Sequence, residues 1–137
     1  MTMLYAPGMA GLTLRFDRDD DGDVRLFATL QVGGFGGATQ YWCPPSEFSF
    51  LIDELEQYPI RAQRPIRGEW AGGIRLEITP LDAAGLLEVR TSVTDFSDTR
   101  TRCEAVFHCH YADLATFRDG LLNAGRLGVG EAVLSFS

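Results

Sequence analysis

The sequence predicts an α+β fold: a single twisted, mostly antiparallel sheet of about six strands with two helices on one face. Three observations carry this expectation. Apolar and polar residues alternate through six short segments and a short tail, the period of a half-buried strand. Only two segments switch to the 3.6-residue period of an amphipathic helix. The links within the expected strand pairs are too short for parallel crossovers, which leaves antiparallel hairpins. The expected order is β-β-β-α-β-β-β-α-(β), as a single domain over residues 1–137.

Leu12-Thr13-Leu14-Arg15-Phe16 alternates strictly and opens the first strand. The acidic stretch Asp17-Arg18-Asp19-Asp20-Asp21-Gly22-Asp23 follows, and Asp-Gly between two alternating runs marks a hairpin. Val24, Leu26, Ala28, Leu30 and Val32 give the second strand, with Phe27 the one large residue on its polar side. Gly33-Gly34-Phe35-Gly36-Gly37 breaks the alternation as a bulge or inter-strand loop, and Ala38 to Cys43 resumes it. Pro44-Pro45 then ends the third strand, because proline cannot donate to a ladder.

Ser46 is placed to cap a helix with Glu47 in its first turn. Phe48, Leu51, Ile52 and Leu55 follow at i, i+3, i+4 and i+7, one apolar stripe. Pro59 stops this helix near Tyr58. Residues 59–68, with Pro59, Pro65 and Gly68 among Arg61, Arg64 and Arg67, read as a loop. Ile74, Leu76 and Ile78 mark the fourth strand, Asp82 to Gly85 a turn, and Leu87, Val89, Thr91 and Val93 the fifth. After a turn over Asp95 to Thr99, Thr101 to Tyr111 is the sixth, with Cys103, Ala105, Phe107 and Cys109 on one face. Ala112 to Ala124 carries the second helical stripe through Leu114, Phe117 and Leu121, with Gly125 as its cap. Gly128 and Gly130 set off a tail, Glu131 to Ser137, whose Ala132, Leu134 and Phe136 alternate as in a short strand.

Composition narrows the function. A chain of 137 residues buries roughly 65–70% of its unfolded surface and needs no metal or disulfide to fold. Hydrophobic residues at 45% and charged ones at 23% rule out wholesale disorder. The net charge of −7 argues against nucleic acid as a partner, since phosphate recognition rests on clustered Lys and Arg. It argues equally against an anionic membrane surface. No segment reaches the roughly 18–20 apolar residues of a membrane span. Met1 to Leu14 has neither the basic start nor the unbroken apolar run of a signal peptide. A cytoplasmic location is expected. Cys43, Cys103 and Cys109 form an odd set, better read as reduced thiols than as disulfides. All 12 basic residues are arginine, dispersed along the chain, which fits codon usage in a GC-rich bacterial genome.

The candidate chemistry is sparse. Asp17, Asp19 and Asp21 before Gly22 match the first half of a calcium loop, but position twelve is Ala28 where an EF-hand has a bidentate Glu. The five aspartates and one arginine of this stretch sum to −4 over seven residues, a field that can steer a basic partner. His108 and His110 fall on one side of their strand while Cys103 and Cys109 fall on the other, so four zinc ligands do not converge from this strand alone. Cys43 or a neighbouring acid could complete a site, without any spacing motif to say so. There is no G-x-S-x-G, H-E-x-x-H or P-loop, and the glycine stretch 33–37 does not open a helix that could hold phosphate. No catalytic residue and no cofactor is expected. Trp42 and Trp70 are the only tryptophans; core packing is their ordinary role, and a partner anchor is the alternative.

The glycine-rich hairpin leading to Tyr41-Trp42-Cys43, the helix Phe48 to Leu55, and the run from Glu69-Trp70 through Ile74-Arg75-Leu76-Glu77-Ile78 to Leu87-Glu88-Val89-Arg90 form a pattern over residues 12–124. It resembles small bacterial proteins of unknown function grouped with the immunity proteins of polymorphic toxin systems, particularly the type that neutralises cell-wall-associated contact toxins. The resemblance implies a stoichiometric binder that occludes a toxin, often an acidic protein meeting a basic nuclease, with no catalytic residues to carry over. The expected function is therefore a non-catalytic acidic binding protein. Asp17, Asp19, Asp20, Asp21, Asp23 and Trp70 are its expected contact residues. Two alternatives stay open: a small metal- or ligand-binding domain using His108 and His110, and a homo-oligomer such as a homodimer, since an uncovered apolar patch invites self-association.

Overall fold

Alternation on eight strands builds two sheets. The computed structural model describes residues 10–56, 65–82, 84–95, 97–98 and 100–135. Strands β1 (Ala10–Arg18), β2 (Val24–Val32) and β3 (Phe35–Trp42) lead through a 3-10 turn (Pro45–Phe48) into helix α1 (Ser49–Glu56). Strands β4 (Ile66–Trp70), β5 (Ile74–Pro80), β6 (Leu86–Thr94) and β7 (Arg102–His110) precede helix α2 (Tyr111–Leu127) and a last strand β8 (Gly130–Ser135). The first sheet has the order β3-β2-β1-β8 and the second β4-β5-β6-β7. Every pairing is antiparallel. Each helix therefore carries the chain from one sheet to the other.

This corrects the expected single six-stranded sheet, while the α+β class holds. The physical reason lies in what a period of two encodes. Alternation tells which side of a strand is buried, but it does not name the neighbouring strand. Leu12, Leu14, Phe16, Leu26, Ala28 and Leu30 of the first sheet, and Ile74, Leu76, Ile78, Leu87 and Val89 of the second, all belong to one buried core. Leu51, Ile52 and Leu55 of α1 and Leu114, Phe117, Leu121 and Ala124 of α2 complete it. Phe48 fixes the junction. Its ring meets Phe16 edge-on at 5.8 Å and stacks on Trp70 at 5.9 Å, so it touches a strand of each sheet. Tyr41 adds a polar tie, donating its hydroxyl to the Thr94 carbonyl at 2.6 Å.

Other boundaries also move. The expected loop over residues 59–68 includes, from Ile66, the start of β4, and residues 57–64 lie outside the described set. This strand hides in the sequence because Gly68 interrupts its apolar face. The glycine is needed there: a Cβ would sit 2.7 Å from the Trp70 ring. The glycine-rich break shrinks to the two-residue turn Gly33-Gly34, with Val32 opposite Phe35. The second helix runs past Gly125 to Leu127 and is capped by Gly128 in the left-handed conformation at φ 79°. At its start, the His110 backbone N–H donates to the Asp113 carboxylate at 2.8 Å.

One residue of the β4–β5 turn carries backbone strain. Ala71 has φ 57° although it is not glycine, a conformation that costs an L-residue about 1–2 kcal/mol. Ala71→Gly relieves that cost and gives back part of it as unfolded-chain entropy, so a net gain of about 0.5–1 kcal/mol is expected in chemical denaturation.

Candidate functional site

The β1–β2 hairpin is built by its own aspartates. The Asp19 carboxylate accepts the backbone N–H groups of Asp21 at 3.0 Å and Asp23 at 3.1 Å, closing the loop around Gly22. Asp19 is thus half spent on the turn, while Asp20, Asp21 and Asp23 project into solvent. One carboxylate oxygen each from Asp19, Asp21 and Asp23 lies within 4.8 Å of the others. Three oxygens are about half of the six to eight that calcium takes. Asp17 stands on the outward side of β1, where Arg15 donates to it.

The register carries this negative end into an aromatic one. Asp17 pairs with Arg25 on β2, and Arg25 pairs with Trp42 on β3, so the three share a row on the outer face of the first sheet. The Arg25 guanidinium lies 4.6 Å over the Trp42 ring, and Trp42 is still 54% exposed. On the opposite flank, Arg18 at the hairpin base packs against Gly128, where a Cβ would lie 1.7 Å from its guanidinium nitrogen. Leu127 and Val129, on either side of that glycine, are exposed. The hairpin tip is therefore an acidic knob between two apolar shoulders.

Trp70 takes another place. Its ring stacks on Phe48, and it packs against the core while remaining partly accessible. Arg67 pairs with Glu77 at 3.1 Å on the outer face of the second sheet; Arg61 and Arg64 lie outside the described residues. Trp42 is the aromatic that the register puts beside the acidic hairpin. A parity signal for it existed in the sequence, because Tyr41 and Cys43 are buried on the alternate side.

His108 and His110 stand on the exposed side of β7 and Cys109 on the buried side. His108 Nε2 lies 3.9 Å from Glu88 Oε1, and His110 caps α2. Among the described residues, the one group of three or more His, Cys, Asp or Glu residues with converging ligand atoms is Asp19, Asp21 and Asp23.

The two buried thiols, Cys43 and Cys109, are held protonated. Burial, reinforced by the Cys43 thiol donating to Glu47 Oε2 at 2.7 Å and by that carboxylate's charge, pushes the Cys43 pKa well up. Burial and then the Asp113 carboxylate push Cys109 up to about 12. Neither supplies a thiolate nucleophile near neutrality. A thiol pKa raised by folding stabilises the fold fully below the unfolded value of about 8.5, and that contribution is lost as pH rises past it. At pH 8 a disulfide reagent is expected to leave Cys43 and Cys109 untouched in the native protein and to titrate all three thiols after unfolding.

Among the described residues, no helix is long and apolar enough to cross a membrane. The architecture is thus a two-sheet α+β unit with an acidic hairpin and an exposed tryptophan at one end. No protein-family model matches the chain, and comparison with curated proteins finds no relative.

Proposed function

We propose that the protein is a non-catalytic binder of a basic protein partner, working as a stoichiometric inhibitor in the manner of an immunity protein in the cytoplasm. The observation that carries the reading is Trp42, exposed and on the same row as Asp17, next to the projecting Asp20, Asp21 and Asp23. An acidic cluster speeds encounter with a positive surface, and a rigid aromatic anchor then supplies affinity. Protonated, buried thiols and a hairpin whose Asp19 is engaged by its own backbone favour gripping over group transfer.

The test mixes the purified protein with basic toxin domains, beginning with any encoded beside its gene, and co-expresses the pair. A stoichiometric complex at micromolar concentration and protection of the cells are expected. Absence of both contradicts the proposal.

A further inference from the structure

The outer face of the first sheet also holds a groove of about 580 Å³ that the hairpin does not form. Arg15, Phe27, Gln40 and Glu131 line it from the sheet, and Asp95 reaches it from the β6–β7 loop. Phe27, the large residue on the polar side of β2, is its floor. The Arg15 guanidinium lies 4.4 Å over the Phe27 ring and is bonded to Asp17, so it is both held and neutralised. Glu131 stands across from Arg15 in the register, but Arg15 donates to Asp17. Among the described residues, Asp95 accepts from the backbone and hydroxyl of Ser97, each at 3.1 Å, and neither Asp95 nor Glu131 forms an ion pair. Gln40 also belongs to the small recess holding Arg25 and Trp42, so the groove runs on into the tryptophan.

The strand order sets the distance between the rims. Glu131 is on β8 and Asp95 lies beyond β3, at opposite edges of the order β3-β2-β1-β8. Three strand spacings and one more to Asp95 beyond β3 amount to about 19 Å, and an extended chain covers that in roughly six residues. Resting on the reading of the protein as a binder of a basic partner, we propose that this groove takes an extended segment of the partner with two basic side chains about six residues apart. One cation sits at Asp95 and the other at Glu131, and the segment crosses the strands over Arg15 and Phe27.

The probes are two fluorescein-labelled nine-residue peptides of identical composition, one with lysines about six apart and one with lysines adjacent, titrated by anisotropy at low salt. The spaced peptide is expected to bind about fivefold more tightly, the scale of one exposed ion pair. The variant Asp95→Asn with Glu131→Gln is expected to remove that preference, whereas Asp20→Asn with Asp21→Asn and Asp23→Asn keeps it. Both rim positions are at the surface, and thermal melting of the rim variant checks its fold. Equal binding of the two peptides overturns the groove, as does a preference that follows the hairpin instead of the rims. A whole-partner complex that ignores the rim variant but needs the hairpin also overturns it, and leaves the binder reading standing. Failure of any basic partner to bind the unaltered protein overturns that reading itself.

Discussion

Phe48→Ala is expected to lower the unfolding free energy by about 3–5 kcal/mol, the range for emptying a buried phenylalanine site. The ring is fully buried and has aromatic neighbours from both sheets, Phe16 on β1 and Trp70 on β4. Removing it leaves a void at the junction where neither sheet can move in without losing its own pairing. Against a typical total stability of about 5–15 kcal/mol, a loss of this size lowers the melting temperature by roughly 10–20 °C. Phe50, two residues on and 70% exposed, is the control: Phe50→Ala is expected to stay within about 0.5 kcal/mol. A loss below 1 kcal/mol for Phe48→Ala contradicts a core shared by the two sheets.

The second large effect is on binding. Trp42→Ala is expected to weaken the complex with a basic partner by at least about 30-fold, or 2 kcal/mol, the scale of an interface anchor. Because Trp42 lies outside the buried core and its ring faces solvent under the Arg25 guanidinium, its loss is expected to leave thermal stability nearly unchanged. The effect should appear in the dissociation rate. Neutralising Asp20, Asp21 and Asp23 as asparagines should act on the other arm, slowing association about tenfold at low salt and flattening its salt dependence. Equal changes in both rates for both variants contradict the division of labour between knob and anchor.

Much of the fold was legible because burial on one side of a strand writes itself as alternation. The residues Leu12, Leu14 and Phe16, and Ile74, Leu76 and Ile78, are buried as their spacing predicts. The acidic hairpin was equally readable, since Asp-Gly between two such runs admits few other structures. What alternation cannot carry is adjacency. Nothing local in Ala132 and Leu134 states that β8 pairs with β1 across almost the whole chain, and nothing local in β3 and β4 states that they end in different sheets. β4 was missed because Gly68 stands where an apolar side chain would have completed the pattern.

The candidate surface shows the same division. The aspartates were visible as charge, but their partner aromatic depended on register. Arg25 opposite Trp42 is a cross-strand fact, whereas the choice between Trp42 and Trp70 turns on which parity faces the core. The groove was less legible still. Phe27 stood out as an anomaly, but Asp95 and Glu131 lie far apart in sequence and meet the same face only through the β6–β7 loop and the returning β8.

Amide hydrogen exchange on the protein alone and bound to a basic toxin domain tests the contact surface directly. The account predicts new protection over the β1–β2 hairpin, the Trp42 end of β3 and the neighbouring outer face of the first sheet, with the outer face of the second sheet unchanged. Protection centred on Arg67, Arg75 and Arg90 of the second sheet, with the hairpin exchanging as before, would contradict it.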